Sequence, residues 1–332
     1  MKNRKGILLF SGGLDSLLSA KILMDQNIDL MGLHFVLPFY CPDIQWEKTR
    51  VFKQAEEIGL PISFQRCEME YMNMVQNPPH GYGKNINPCI DCKIFFLRKA
   101  KELMEKEGAS FVATGEVVGQ RPMSQKRNTL NHIEKESGLQ GYLLRPLSAK
   151  LLRPTKSEME GIVSREGLMG INGRSRKIQM QLMEKYDIKD YASPAGGCFL
   201  TDKNVAGRIR DLFEYFPDYT MIDVYLLSIG RHYRLHKDAK IIVSRNEGEG
   251  LVLEKYKEKS DYFMIPEFNG AQIFVKGMLY DSDFKILGSI SRRYGKCDTD
   301  EAKIAVFPRG CDPITLVANE AVSDDFLDGL RI

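Results

Sequence analysis

Near the start of the chain, Ser11-Gly12-Gly13-Leu14-Asp15-Ser16 sets two glycines, two hydroxyls and a carboxylate directly after an apolar run. A chain that turns on glycines and then opens a helix points its first amide N–H groups, and the positive end of the helix dipole, at whatever lies in front. That arrangement suits phosphate. Ser11 and Ser16 add hydroxyl donors, and Asp15 offers a hard oxygen ligand for Mg2+. The phosphate loop of kinases and GTPases carries a Lys after its last glycine, but Leu14 and Asp15 stand there, so this is an anion cradle of another kind. The competing reading is a plain Gly-Gly turn capped by serine.

Cysteines form the second chemical signal. Cys89 and Cys92 have the two-residue spacing that lets both thiolates bind one metal or join in a local disulfide, and Cys198 lies in the small-residue loop Tyr191–Cys198. Three cysteines suit a [4Fe-4S] cluster, holding three irons and leaving the fourth open to sulfide or substrate. Zinc would want a fourth ligand, from His80, Cys67 or Cys41. A persulfide on Cys198, resolved by Cys92, is a third use, and three unrelated buried thiols a fourth. His34, on an apolar run, reads as a core histidine, and Cys297 and Cys311 lack a spacing partner.

The elements around these residues alternate. Ile7-Leu8-Leu9 reads as a strand, and Leu14, Leu17, Leu18 and Ile22 follow at helical spacing. A second strand covers Leu30 to Leu37, a helix runs from about Ile44 to Ile58, and a third strand covers Pro61 to Phe64. Tyr71 to Pro88 reads as a loop, followed by a helix from about Lys93 to Glu107 and a fourth strand, Phe111 to Thr114, ending at Gly115-Glu116. Strand, helix and strand in succession predict a doubly wound α/β domain with a parallel sheet. In such sheets ligands lie outside the carboxyl ends of the strands, which draws Phe35 and Gly115 toward the cavity of Gly12 and Gly13. Further on, Arg153-Pro154-Thr155-Lys156-Ser157-Glu158 starts a helix capped by Thr155 or Ser157. From about Asn204 the texture changes to short β-rich runs after one helix near Val205 to Tyr215, which predicts a domain of residues 1–203 and a smaller α+β domain of residues 204–332.

The 332 residues suffice for two cores, and 43% apolar with 27% charged residues excludes a disordered or fibrous chain. A net charge of +3 decides nothing alone, so any nucleic-acid surface must come from local clusters such as Arg121 to Arg127 and Arg174 to Lys177. The basic start is followed by an apolar run that Ser11 to Asp15 interrupts, unlike a signal peptide, and no stretch approaches a membrane span. The expectation is a cytoplasmic protein with reduced thiols and no membrane partner.

The Ser11–Ser16 stretch matches all five specified positions of SGGxDS and resembles the PP-loop ATP pyrophosphatase family, which cleaves ATP between its α and β phosphates. Together with Ala113-Thr114-Gly115-Glu116, Gly119-Gln120, Ser124-Gln125 and Leu144-Arg145-Pro146-Leu147 it looks like the catalytic domain of tRNA 4-thiouridine synthetases. The Cys89, Cys92 and Cys198 triad is similar to that of iron–sulfur-dependent tRNA thiolases. Gly230 to Leu235 with Ala239 to Glu247 resembles the RNA-binding domain of NFACT proteins, with Ser244 in place of a glycine, and Arg231, Tyr233, Arg234, Lys237 and Arg245 suit phosphate contacts and base stacking. The first strand begins at Ile7, leaving no room for an N-terminal THUMP domain, and no rhodanese-like extension is read, so the RNA-binding part and the sulfur donor are expected to differ from the synthetases.

These resemblances imply ATP-dependent sulfur transfer to a uridine of tRNA through an adenylated base. ATP would lie on Ser11, Gly12, Gly13, Asp15 and Ser16, with Phe35 and Gly115 closing the pocket. Cys89, Cys92 and Cys198 would hold the cluster, with Cys198, Cys92 and Asp15 as the catalytic residues, sulfide or a persulfide carrier protein as donor, and a homodimer as a further expectation. A PP-loop enzyme adenylating a small molecule, or a non-catalytic RNA-binding factor, are the alternative readings.

Overall fold

The computed structural model describes residues 3–191 and 197–332. The chain divides into two compact units, one of residues 1–37 and 43–201, the other of residues 38–42 and 202–332.

In the first unit the elements run β1 (Lys5–Leu9), α1 (Leu14–Met24), β2 (Asp29–Val36), α2 (Arg50–Glu57), β3 (Ile62–Arg66), α3 (Met69–Gln76), α4 (Cys89–Lys106), β4 (Phe111–Thr114), α5 (Arg127–Glu136), β5 (Leu143–Leu144), α6 (Lys156–Met159) and α7 (Lys177–Lys185). The five strands form one parallel sheet in the order β3-β2-β1-β4-β5. Side-chain alternation explains its two coats. Leu8 of β1 faces a core built with α1, α2 and α7, while Ile7 faces a core built with α4 and α5. Eight of the 11 residues of α1 are buried, because this helix is covered by the sheet on one side and by α7 on the other. The fold is the doubly wound α/β arrangement, and its strand order reverses between β1 and β4. That crevice, at the carboxyl ends of the two strands, is where such sheets hold ligands.

Local boundaries depart from the sequence reading in instructive ways. The helix expected from Ile44 begins at Arg50, because Thr49 turns its hydroxyl onto the Phe52 amide (3.2 Å) and caps it there. α3 takes in Tyr71 to Gln76, the start of the stretch expected to be a loop. α4 begins at Cys89, four residues before the expected start, its first turn closed by the Cys92 amide on the Pro88 carbonyl (2.8 Å). Thr155, of the two proposed caps, starts α6, in a capping box with Glu158.

The second unit runs α8 (Lys203–Tyr215), α9 (Met221–Leu226), β6 (Arg231–His236), β7 (Ala239–Val243), α10 (Glu247–Lys255), β8 (Tyr262–Pro266), β9 (Asn269–Gly270), β10 (Ile273–Gly277), α11 (Asp281–Arg293), β11 (Gly295–Lys296), β12 (Ala302–Pro308), β13 (Ile314–Ala318) and α12 (Asp324–Leu330). Six strands make an antiparallel sheet in the order β13-β12-β8-β10-β7-β6. It holds more helix than the one read from the sequence. α10 carries Gly248 and Gly250, which hide its helical pattern, and starts because Asn246 accepts from the Glu249 amide (3.0 Å).

Candidate nucleotide and thiol site

Gly12 takes a φ of +71°, a conformation that side-chain-bearing residues rarely adopt, so the turn favours glycine. Ser11 Oγ accepts from the Gly13 amide (3.3 Å), and Ser16 donates to the Gly13 carbonyl (2.8 Å). No side chain caps α1 at Gly13, which leaves the helix start open to an anion. Gly115, at the end of β4, comes so close that an added Cβ would sit 2.7 Å from the Asp15 carbonyl carbon and the Ser16 amide. Backbone therefore approaches backbone at the switch point.

Asp15 is asymmetrically loaded. Its Oδ2 accepts from Gln120 Nε2 (2.7 Å) and lies 4.0 Å from Arg176, while Oδ1 is buried with no partner. A buried carboxylate oxygen without a donor is a place where a cation fits. The residues present thus suit a magnesium nucleotide.

Phe35 behaves differently from the cradle residues. Its ring stacks on Phe96 of α4 at 4.5 Å and lines a pocket of about 240 Å³ with Arg66, Cys67, Phe95 and Lys99, on the sheet face opposite α1. His34 is turned the other way, holding the Phe10 carbonyl (2.8 Å), and burial lowers its pKa, which fits a core role.

Beneath the crevice lies a charged frame that joins Glu116 and Arg145, both quoted in the sequence motifs, through a pairing the sequence did not show. Glu116 is buried, pairs with Lys93 from the first turns of α4, and accepts from Arg145 Nε (3.0 Å). Arg145 also reaches Glu134 (2.8 Å), so the Leu144-Arg145-Pro146-Leu147 motif ties α5 and β5 to the end of β4. Burial would raise the Glu116 pKa, but Lys93 and Arg145 outweigh it and bring it down to about 2. A folded-state pKa below the ordinary 4.5 means stability that is present above that value and is lost as pH falls toward 2. In urea unfolding the wild type is expected to exceed Glu116→Gln by about 3 kcal/mol above pH 5, the gap closing toward pH 2. A gap independent of pH would refute the assignment.

The thiols gather at the start of α4. Cys89 and Cys92 stand one turn apart on the same side of the helix. Cys198 is brought to them by backbone clamps: the Ile86 amide donates to the Leu200 carbonyl (3.3 Å), Asn85 Nδ2 to the Thr201 carbonyl (2.6 Å), and Cys198 Sγ lies 3.8 Å from Asn87 Oδ1. Residues 192–196 of the loop singled out in the sequence lie outside the described residues. Burial pushes the Cys92 thiol up to about 12, against the pull of the Tyr71 hydroxyl 3.6 Å away, and both Cys198 and Cys89 push the same way. Cys198 is exposed, yet the protein around its sulfur raises its pKa also, and Cys89 adds to the rise. The three thiols thus feel one another in every pairing. Among the described residues no three His, Cys, Asp or Glu side chains stand close enough to hold a metal ion, so the triad is gathered but not closed. Its donor chemistry, three soft sulfurs, fits an iron–sulfur cluster. A thiol held protonated by burial is a poor nucleophile, whereas a cation beside it would take it as thiolate.

The loop before the cysteines is clipped by His80, which bonds buried Asp91 through Nδ1 (2.6 Å) and His132 of α5 through Nε2 (2.7 Å). Arg121, Lys126, Arg127, Arg174 and Lys177 are exposed, with Met123, Ile178 and Met180 among them.

Residues 2–152 match the family model described as thiamine biosynthesis protein (ThiI), and residues 230–322 match the NFACT protein RNA binding domain. The two matches cover separate stretches of the chain. A probable tRNA sulfurtransferase of Methanosarcina mazei is 26% identical over 193 residues, covering 56% of this chain. The match spans only 44% of that relative's length. A tRNA-specific 2-thiouridylase MnmA 1 of Clostridium tetani is 26% identical over 283 residues, 80% of this chain and 72% of its own. The solved U34-tRNA thiolase NcsA of Methanococcus maripaludis, with its [4Fe-4S] cluster, has a TM-score of 0.31 at 14% identity over 68% of this chain and 69% of its own. The ThiI match contains the cradle, Gly115, Glu116, Gln120, Arg145 and the Cys89 and Cys92 pair, and ends before Cys198.

Inside the NFACT-type match, several residues expected to meet RNA are engaged within their own unit. Tyr233 is fully buried and cannot stack a base. Arg234 forks onto Asp211 (2.8 and 2.7 Å), Arg231 lies over the Tyr294 ring at 4.7 Å, and Arg245 pairs with Glu249. Lys237 remains exposed. No helix among the described residues is long and apolar enough to cross a membrane.

Proposed function

We propose that this chain is an ATP-dependent tRNA sulfurtransferase, with residues 1–203 as the catalytic unit and residues 204–332 binding RNA. The observation that carries the reading is Asp15: one oxygen held by Gln120, the other buried and bare, at the mouth of an uncapped helix by the carboxyl ends of β1 and β4, where the strand order reverses. The names of the curated relatives supply the substrate class, tRNA, and the reaction class, sulfur transfer.

In this mechanism the open amides at the start of α1, with Ser11 and Ser16, bind the phosphates of ATP, and Asp15 holds the accompanying Mg2+. A uracil carbonyl oxygen attacks the α-phosphate, the bond between the α-phosphate and the bridging oxygen breaks, and pyrophosphate leaves. The base is then adenylated, and a sulfur nucleophile displaces AMP at the activated carbon. Donors fixed around the phosphates stabilise the charge that develops there. Cys89, Cys92 and Cys198 would hold a [4Fe-4S] cluster, which supplies an iron without a protein ligand where hydrosulfide can bind. Arg121, Lys126, Arg127, Arg174 and Lys177 grip the RNA backbone, which makes binding weaken with salt.

The test is anaerobic incubation of the protein with an unmodified tRNA transcript, Mg-ATP and sulfide, followed by pyrophosphate measurement and mass spectrometry of the nucleosides. RNA-dependent pyrophosphate release with a thiouridine product is expected. Pyrophosphate release that RNA does not stimulate would overturn the tRNA reading in favour of a small-molecule substrate.

A further inference from the structure

Gln179 sits on α7, far along the chain from the cradle and fully buried. Its Nε2 donates to Gln120 Oε1 (3.1 Å), and Gln120 Nε2 in turn donates to Asp15 Oδ2 (2.7 Å). We propose that Gln179 and Gln120 form a two-amide relay that turns Asp15 so that its Oδ1 faces the divalent cation of the bound nucleotide. The inference rests on the reading of the cradle as an ATP site.

The direction of the relay is set by chemistry. An ionised carboxylate only accepts, so Gln120 must present its NH2 to Asp15, and its carbonyl oxygen is then left for a donor. Gln179 is that donor. Arg176, 4.0 Å from the same Oδ2, adds its charge on that side, so every partner of Asp15 collects on one oxygen. The relay also has a cost, because Gln179 Oε1 stays buried without a partner. An apolar side chain of similar size would fill the same space without that penalty, so packing alone does not account for a glutamine here. Its effect on the nucleotide is indirect, and Gln179 is a positioning residue.

Gln179→Leu removes the donor and keeps the volume. Gln179→Glu keeps the shape but sets a carboxylate against the Gln120 carbonyl, so that Gln120 must rotate and turn its oxygen to Asp15. The experiment titrates Mg2+ into each full-length protein with α,β-methylene ATP, which cannot be cleaved at the relevant bond, and reads nucleotide binding by calorimetry, with parallel titrations in EDTA. Both variants are expected to need about tenfold more Mg2+ for half-maximal binding, as loss of a ligand-orienting contact commonly does. Binding in EDTA and the thermal midpoint of Gln179→Leu should match wild type. Wild-type Mg2+ dependence in Gln179→Leu overturns the relay while leaving the ATP site standing. So does an equal loss of binding with and without Mg2+, which marks a structural role. Absence of Mg2+-dependent binding in wild type itself overturns the ATP reading and the relay with it.

Discussion

Replacing Asp15 by alanine is expected to reduce RNA-dependent pyrophosphate release by about a thousand-fold, the order seen when a group that stabilises transition-state charge is removed. The carboxylate lies on the first turn of α1, at the point where the chain passes from β1 into the helix, and Gly115 comes close to the backbone of Asp15 and Ser16. Nothing else in that crevice offers a bare, buried carboxylate oxygen; among the described residues Asp15 Oδ1 is the one carboxylate oxygen of this kind. Without it the Mg2+ of the nucleotide loses its protein ligand, and charge building on the pyrophosphate is left to amides and hydroxyls. RNA affinity should not change, because the exposed basic residues are untouched. The pairing of the two readouts, filter binding of tRNA and pyrophosphate release, separates this outcome from misfolding, in which both would fail. Full pyrophosphate release in Asp15→Ala would remove the nucleotide from this cradle.

Cys92→Ala is expected to abolish thiouridine formation, strip iron and acid-labile sulfide from anaerobically purified protein, and leave RNA-dependent pyrophosphate release within about a factor of three. The split follows from position. Cys92 belongs to the thiol corner at the start of α4, with Tyr71 beside it and Cys198 clamped nearby, while the cradle is built from β1, α1 and β4. Loss of both activities together would mean that the thiols serve the nucleotide step. A wild type without iron, together with full thiolation by Cys92→Ala, would remove the cluster from the proposal.

Much of the site could be read before any fold was known, because its demands are local. Gly12 is required by a positive φ, and Ser11, Ser16 and Asp15 sit within one helical turn of it, so residue type and spacing alone carry the reading of a candidate phosphate cradle. The alternation of apolar runs likewise specifies a parallel sheet, since side chains on successive positions of β1 must enter opposite cores. Helix boundaries were less legible where a single cap or proline decides them, as Thr49 and Pro88 do. The paired glycines of α10 hid a helix in the second unit.

What only tertiary structure decided is which polar side chains are already engaged. Arg234 and Tyr233 have the composition of an RNA-contacting stripe, yet one is bound to Asp211 and the other is buried, because β6 turns them into its own unit. Phe35 lies at the strand end the topology points to, but strand alternation sends its ring to α4 and away from α1. Gln179 carried no sequence signal, and Glu116 stood in a motif that named none of its partners. Their partners lie 59 residues away for Gln179 and 23 and 29 for Glu116, and such long-range pairs are set by the packing of whole elements, not by any local pattern. The sequence by itself determined the fold class and named the candidate cradle and thiol pair, since each reading rests on backbone conformation and periodicity within a few residues. Tertiary structure determined which oxygen of Asp15 is free and where Cys198 belongs, since both depend on contacts that exist only once the sheet is covered on both faces.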